Sequence, residues 1–260
     1  MRFLFPVFQF IRHWLHRVDA HSLHSPFLYN LYTQVVKADD ATPFKKLDQL
    51  RDKLLTNGTA LTIEDLGAGS RMDNGSQRSI KSIARHASTP ARFSRLLART
   101  IAYFGHQHIL ELGTSLGLNT LHLQTLNPTA QIHTLEGSTT IASVAQQHFD
   151  ELGAQSVNLT VGNIDNTLAE VIAAMPQLDF VYMDANHRYE PTLRYFDMLQ
   201  PKLHKASLVV VDDIHWSKEM NQAWQVLKEK PEVSLALDFF EAGFLFFDPE
   251  LPKESYLLSY

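Results

Sequence analysis

The sequence predicts an α/β fold: a mostly parallel sheet with an antiparallel C-terminal edge hairpin, preceded by an N-terminal helical appendage. From residue 108 onward, short apolar runs alternate with helical patterns, as they do in a parallel sheet with crossover helices. Two late β-rich runs, VSLALDF and GFLFFDP, are too close together for a crossover helix and should pair antiparallel. Residues 1 to about 60 have a helical pattern.

Five apolar runs are the candidate parallel strands. Each is followed by a helical pattern long enough for a crossover, so both faces of the sheet should be covered. The runs are HILEL, QIHTLEG, SVNLTVG, LDFVYMD and SLVVVDD.

The N-terminal segment has the spacing of an amphipathic helix. Phe10, Ile11, Trp14 and Leu15 recur at helical intervals, and we expect this face to pack on the rest of the protein. The alternative is a helix that lies on a membrane surface or covers a substrate. Pro6 interrupts the apolar stretch and no cleavage pattern follows, so we expect no signal peptide, no membrane span and a cytoplasmic protein.

Composition excludes several classes of protein. Hydrophobic residues make up 45% and charged residues 20%, which is typical of a soluble globular chain. The absence of cysteine excludes disulfides, thiolate metal sites and cysteine nucleophiles. The net charge of -5 is uneven: residues 1–99 carry an excess of 7 basic residues, and residues 100–260 an excess of 12 acidic residues. The two parts should therefore either dock on each other or serve different ligands.

Two segments combine an apolar run, an acid and a glycine turn: IEDLGAGS at 63–70 and ILELGTSLG at 109–117. Only the second is followed by an apolar helix and, 25 positions after Glu111, by an acid, Glu136, at the end of the next strand. An acid there can accept both ribose hydroxyls of a nucleoside. We therefore assign the ligand site to the second turn and interpret the first as a turn that leads into a loop.

Five motifs in register resemble class I S-adenosylmethionine (SAM) dependent methyltransferases, most closely the catechol and caffeoyl-CoA type O-methyltransferases and their bacterial relatives. The motifs are ILELGTSLGLNT, HTLEG, LTVGNIDNTL, FVYMDANHRYE and VVVDDIHW. The resemblance covers roughly residues 88 to 250 and implies a Rossmann-like methyltransferase sheet. It suggests an appendage with a lid loop over 1–87 and a SAM-binding domain over 88–260.

The resemblance also implies cofactor-binding residues. The methionine end of SAM would be shaped by Glu111, Gly113 and Gly117, and its carboxylate would meet Asn119. The ribose would be bound by Glu136, and the adenine would be bordered by Asn163 and Ile164. The alternatives are that Glu136 is a solvated acid and that Asn163 uses its side chain on its own backbone.

Asp184, Asp212 and Asp213 end the fourth and fifth strands. Three converging carboxylates would repel one another without a cation, and oxygen ligands favour Mg, Ca or Mn. The family has Asp, Asp and Asn at these positions, so Asp213 adds a charge. The alternative is that Asp184 helps to hold SAM and that one Asp of the pair caps the next helix.

His187 is the candidate base. It lies where the family usually has a lysine, and a histidine can accept a proton from an acceptor hydroxyl near neutral pH. Asp184 is the second candidate catalytic residue.

Residues 71–99 hold seven basic residues and one acid, directly before the predicted catalytic domain. We interpret IEDLGAGS as the start of a mobile lid that closes over SAM or an acceptor. The basic side chains would either bind an anionic acceptor or form a solvated helix face that pairs with acids; Arg92, Arg95 and Arg99 have the helical spacing of the second alternative.

The sequence thus predicts an O-methyltransferase that uses SAM as cofactor and acts on a small-molecule acceptor. An anionic acceptor and a hard divalent cation such as Mg are left open. The alternatives are an NAD-dependent oxidoreductase, an RNA methyltransferase that uses residues 71–99, and a catalytically silent SAM-binding protein. We expect no nucleic-acid partner, because the chain is acidic overall. A homodimer is one of the open assemblies.

Overall fold

The computed structural model describes residues 4–38, 41–63 and 77–260, which belong to two compact units. Residues 39–175 make up one unit, called here the central unit. Residues 1–38 and 176–260 make up the other, called here the terminal unit. The predicted division into 1–87 and 88–260 is not tested by these units and stays a prediction.

The elements follow the predicted alternation of strand and helix from residue 108. The helices are α1 Leu4–His16, α2 Pro26–Leu31, α3 Lys45–Thr56, α4 Ile80–His86, α5 Ala91–Phe104, α6 Leu118–Thr125, α7 Thr139–Leu152, α8 Ile164–Ala174, α9 Tyr189–Leu199 and α10 Lys218–Glu229. The strands are β1 Ala60–Thr62, β2 Gln77–Ser79, β3 His108–Leu112, β4 Gln131–Glu136, β5 Val157–Val161, β6 Phe180–Met183, β7 Leu208–Asp212, β8 Leu235–Asp238, β9 Ala242–Phe246 and β10 Glu254–Leu257.

In the central unit, β3, β4 and β5 pair in parallel in that order. The pairing of Leu112 with Leu135 and of Glu136 with Val161 brings the carboxyl ends of the three strands to one edge. Ligands of open α/β sheets bind at this edge. The short strands β1 and β2 form a separate antiparallel pair.

Gly117 shows why the turn after β3 needs glycine. Its φ of +78° lies in the left-handed region, and an added Cβ would lie 2.7 Å from Cε1 of Phe149 on α7. Any side chain at this position would therefore be strained and would push α6 away from α7. Phe149 belongs to a buried cluster with Phe44 and Leu121, so the segment before α3 packs on the helices of the central unit.

In the terminal unit the strand order is β10, β8, β9, β7, β6. β6 and β7 are parallel, and β8 and β9 form the predicted antiparallel hairpin. β9 also pairs antiparallel with β7, and the C-terminal strand β10, which the sequence analysis did not predict, pairs in parallel with β8. The predicted fold class, a mostly parallel Rossmann-like sheet with an antiparallel C-terminal hairpin, is confirmed.

The hairpin is fixed by one close contact in the core of the terminal unit. A Cβ on Gly243 would lie 2.4 Å from Cη2 of the buried Trp224, on α10. The indole therefore lies directly on the backbone of β9, and only glycine leaves room for it.

The packing prediction for the N-terminal helix is wrong. Phe10, Ile11, Trp14 and Leu15, expected to face the core, are each at least half exposed. The buried residues of α1 are the polar Gln9 and His13 instead. Spacing identifies one face of a helix, but it does not tell whether that face points inward or outward.

None of the helices in the part of the chain that the structure describes is long and apolar enough to cross a membrane.

Candidate functional site

The turn after β3 is fixed by hydrogen bonds to the end of β4. The amides of Gly113 and Thr114 both donate to the carbonyl of Leu135, at 3.0 and 3.1 Å. Gly113 has a φ of +102°, and Ser115 a φ of +49°, which is unusual for a residue with a side chain. The backbone is thus held in an uncommon conformation where the sequence places the cofactor turn.

Glu111, near the end of β3, is fully buried and holds this turn from below. Its Oε1 accepts a hydrogen bond from Nδ2 of Asn119 at 2.8 Å. Its Oε2 accepts from the hydroxyls of Thr134, at 2.7 Å, and of Thr120. Glu111 thereby connects β3, β4 and the start of α6, and three donors compensate for the burial of its charge.

Asn119 is buried and has one unused polar atom. Because Nδ2 donates to Glu111, the amide orientation is fixed and Oδ1 points the other way. Among the described residues Oδ1 has no hydrogen-bond partner. An acceptor this deeply buried is costly to leave unpaired, so its position favours a ligand that donates a hydrogen bond.

Glu136, the last residue of β4, is pinned by two backbone amides. Its Oε2 accepts from the amide of Ser115, and its Oε1 from the amide of Ser138, both at 2.9 Å. The carboxylate is partly buried rather than free in solvent. An ionised carboxylate accepts hydrogen bonds at about four lone-pair sites, so a carboxylate oriented in this way suits the hydroxyls of a ligand.

Asn163 and Ile164 lie at the end of β5, as predicted, and both are partly buried. Asn163 is the N-cap of α8, and its side chain accepts from the amide of Asp165 at 2.9 Å. The Asn163 side chain is thus bonded to the local backbone, as in the alternative noted from the sequence.

In the terminal unit, the loops after β6 and β7 bring together the predicted acids and histidine. Nε2 of His187 lies 3.3 Å from Oδ1 of Asp184, and Nδ1 lies 3.8 Å from Oδ2 of Asp213. Asn186 and Asp213 both have positive φ, at 62° and 56°. Two left-handed residues in adjoining loops indicate a conformation that the surroundings enforce.

Asp212 ends β7 and accepts a hydrogen bond from the hydroxyl of Tyr182 at 2.8 Å. Burial raises the pKa of Asp212 well above its usual range, and the charges of Asp184 and Asp213 raise it further. The hydrogen bonds from Tyr182 and from the Asp213 backbone lower that pKa without offsetting the other effects.

Opposing effects act on the pKa of His187. Burial lowers it, but the hydrogen bond to Asp184 and the charges of Asp213 and Asp184 raise it, and the pKa is raised overall. His187 therefore holds its proton more tightly than an ordinary histidine.

The acids do not form a recognisable metal site as they stand. Within residues 4–38, 41–63 and 77–260, no group of three or more His, Asp or Glu side chains is arranged to hold a metal ion. The imidazole of His187 lies beside two of the three carboxylates and, when protonated, neutralises part of their charge. We therefore derive no catalytic step through a metal.

The basic segment is described in part. Residues 64–76, which include Arg71, most of IEDLGAGS and the start of the predicted lid, lie outside the described residues. On α5, Arg95 forms a part-buried ion pair with Asp48 of α3 at 2.5 Å, and its guanidinium lies 5.8 Å from the ring of Phe44. Arg95 therefore follows the second alternative, in which the basic helix face pairs with acids.

Sequence motifs located the strand-end residues but missed those that orient them. The amides of Ser115 and Ser138 and the hydroxyls of Thr120 and Thr134 were not singled out. Ser138 carried a usable signal: a serine directly before an apolar helix is a typical N-cap, and its side chain does accept from the amide of Ile141.

Comparison with known proteins agrees with this geometry. A family model described as "Methyltransferase domain" matches residues 110–214, which include Glu111, Glu136 and Asp184. No curated protein matches the chain.

Several solved structures with similar folds are methyltransferases. The SAH-bound methyltransferase PaMTH1 from Podospora anserina is 19% identical, with a TM-score of 0.55 over 62% of this chain and 80% of that one. The O-methyltransferase from Bacillus cereus in complex with SAH is 15% identical, with a TM-score of 0.55 over 82% and 93%. The O-methyltransferase TomG from Streptomyces achromogenes, in complex with SAM, is 17% identical, with a TM-score of 0.55 over 83% and 93%.

The motif order, the strand-end geometry and these likenesses agree, and they confirm the resemblance found in the sequence. The chain has the fold of the class I SAM-dependent methyltransferases, and its residues 110–214 match the methyltransferase domain family.

Proposed function

We propose that the protein transfers a methyl group from SAM to an oxygen of a small-molecule acceptor. The observation that carries this proposal is the pinned carboxylate of Glu136 at the end of β4, next to the glycine turn of residues 113–117. A carboxylate held by two amides is oriented before a nucleoside arrives, so the ribose hydroxyls meet a fixed acceptor.

Asn119 gives the proposal a specific methionine contact. The related enzymes have a serine here that meets the SAM carboxylate, which needs a donor; in Asn119 one of the two N–H groups of Nδ2 is used by Glu111, and the polar atom left without a partner is Oδ1. The unpartnered Oδ1 can only accept. We therefore assign it to the α-ammonium group of SAM, which donates.

The adenine would lie against the start of α8. Because the Asn163 side chain caps that helix, the apolar contact is assigned to Ile164 and not to the Asn163 amide. Gly113 and Gly117 let the backbone approach the cofactor. Glu111 holds the turn in place but does not itself contact the cofactor.

Methyl transfer forms a carbon–oxygen bond as the carbon–sulfur bond of the sulfonium breaks, which leaves the thioether SAH. The acceptor hydroxyl must lose its proton, and His187 is the proposed base, with Asp184 orienting its imidazole. Since only neutral imidazole accepts a proton and the pKa of His187 is raised, turnover should fall as the pH drops through that raised value.

Calorimetric titration with SAM tests the cofactor proposal. Glu136→Gln should weaken binding by at least about tenfold, because a charge-assisted acceptor of the ribose hydroxyls is lost. Glu151→Gln, which neutralises an exposed acid of the same unit, is the matched control and should bind as the wild type does. Failure of the wild type to bind SAM would refute the proposal.

An analogue of SAM without the amino group tests the role of Asn119. Asn119→Ala should weaken the binding of SAM more than the binding of the deaminated analogue, because both ligands lose the contact from Nδ2 to Glu111 that holds the turn but only SAM loses the acceptor Oδ1. An equal loss for both ligands would show that Oδ1 does not meet the ammonium group.

Turnover with a panel of phenols separates an enzyme from a silent SAM-binding protein. His187→Gln should lower the rate of methyl transfer and keep the affinity for SAM. Asp213→Asn should shift the acidic limb of the curve of rate against pH to lower pH, because one of the charges that raise the pKa of His187 is removed. The same assay with and without a chelator tests assistance by a divalent cation, which stays a prediction.

A further inference from the structure

The N-terminal helix α1 presents an apolar face to solvent. Seven large apolar side chains on its 13 residues are at least half exposed, and Trp14 is 54% exposed. They are Leu4, Val7, Phe8, Phe10, Ile11, Trp14 and Leu15. At about 100° per residue these positions fall on one continuous side of the helix. A soluble chain seldom leaves such a contiguous apolar surface uncovered unless it binds something.

The opposite side of α1 attaches the helix to the terminal unit through polar contacts. Nε2 of the buried His13 lies 3.0 Å from the carbonyl oxygen and 3.5 Å from Oδ1 of Asp238 on β8. Oδ2 of Asp238 is bound by Nε2 of His215 at 2.8 Å. The ring of Phe240 packs against the imidazole of His13, at a centroid distance of 5.7 Å. The usual amphipathic arrangement is thus inverted, and this attachment holds the apolar face outward.

Positive charge borders the apolar face on both sides. Counted around the helix, Arg12 follows Phe8 at one border, and Arg17, one residue beyond the helix end, precedes Phe10 at the other. Both arginines are exposed, and the guanidinium of Arg17 lies 6.0 Å from the ring of Trp14. No acid occurs from residue 4 to residue 18.

This pattern fits a lipid surface better than a second copy of the chain. Two copies joined through the apolar face would bring their arginine borders together with no acid on either helix to neutralise them. An anionic bilayer supplies apolar chains for the centre of the face and phosphates for its borders, where long cationic side chains extend towards the headgroups.

We propose that α1 binds the surface of an anionic phospholipid bilayer. The apolar side chains enter the region between headgroups and acyl chains, Trp14 lies at the headgroup level, and Arg12 and Arg17 contact phosphates. The helix lies in the plane of the surface. This function is independent of methyl transfer, since none of its residues belongs to the proposed cofactor or acceptor contacts.

Flotation of the full chain with vesicles tests the proposal. We expect it to float with vesicles of phosphatidylcholine and phosphatidylserine, less with phosphatidylcholine alone, and less again as salt is raised. Ile11→Asp should lower the bound fraction at least about tenfold, because a charge would enter the centre of the apolar face. Arg12→Glu combined with Arg17→Glu should abolish the preference for anionic vesicles but not the secondary structure.

Val226→Asp is the matched control, since Val226 is an exposed apolar residue on α10, and this variant should float as the wild type does. Circular dichroism of every variant shows whether the fold is intact. Absence of flotation by folded wild-type protein would overturn the proposal, as would equal flotation of Ile11→Asp. If sedimentation instead shows a dimer that Ile11→Asp dissociates, and vesicles do not bind, the face is a contact between copies and the lipid proposal is wrong.

Discussion

Glu111 in the central unit and Asp212 in the terminal unit are both carboxylates near the carboxyl ends of parallel strands, yet their surroundings differ. Glu111 is buried among three donors, from Asn119, Thr120 and Thr134. Asp212 has the Tyr182 hydroxyl and one backbone amide, but it also faces the charges of Asp184 and Asp213. The first carboxylate is matched by hydrogen-bond donors, whereas burial and neighbouring charges disfavour ionisation of the second. Position at a strand end therefore does not fix the role of an acid; the groups around it do.

Removal of the Glu111 carboxylate should have the largest effect. Glu111→Ala leaves three buried donors without their acceptor, and we expect the free energy of unfolding to fall by about 4 kcal/mol. Urea unfolding followed by circular dichroism measures the change. A loss below about 1 kcal/mol would mean that the carboxylate does not hold the turn.

His122 is a buried titratable group that has no charged hydrogen-bond partner. It shows the effect of burial alone more directly than the two acids do. Burial lowers its pKa from 6.5 to about 4, and its ring stacks on Phe44 at 5.4 Å. Between pH 6.5 and 4 the unfolded chain binds a proton that the folded chain does not, so stability should fall as the pH falls through this window, by about 3 kcal/mol in all. His122→Leu should flatten that part of the curve of unfolding free energy against pH.

Asp212→Asn should raise the free energy of unfolding, whereas Glu111→Ala should lower it. The raised pKa of Asp212 means that its ionisation destabilises the folded state, a cost that is absent below the unfolded pKa and grows as the pH rises through the folded value. The variant should therefore be more stable than the wild type at pH 7, by about 1 kcal/mol, and nearly equal to it in acid. Thermal unfolding at both pH values measures the difference, and destabilisation at pH 7 would contradict this view of the cluster.

Tyr182→Phe should have the smallest effect. It removes the hydrogen bond that lowers the pKa of Asp212, so that pKa should rise further while the unfolding free energy falls by about 0.5 kcal/mol. Carboxyl chemical shifts of Asp212 across a pH titration measure the first effect. A pKa that stays unchanged would show that the phenol does not act on the carboxylate.

The fold was predictable wherever local patterns determine it. The apolar runs gave the strands β3 to β7, and the short gap between VSLALDF and GFLFFDP gave the β8–β9 hairpin. Strand β10 was not predicted, because ESYL is mostly polar or only partly buried and pairs with a strand about 19 residues earlier. Its partner β8, and not its own pattern, makes it a strand.

The candidate site was predictable in position but not in orientation. Motif spacing placed Glu136 and Asp184 at strand ends, but which amides pin Glu136 depends on the turn around Ser115. The direction of the Asn119 amide depends on Glu111, eight positions earlier and on another element. The outward apolar face of α1 depends on Asp238, 225 positions from His13. Contacts of this range leave no periodic trace in a sequence.

The terminal unit is assembled from both ends of the chain: β10 pairs with β8, Val18 bridges to Leu258, and His13 bonds to Asp238. A ribosome therefore releases the first 38 residues long before their partners exist, while the contiguous central unit can already fold. Until residue 238 and those after it emerge, the nascent α1 lacks its polar attachment, so the helix takes its place in the terminal unit only late in synthesis.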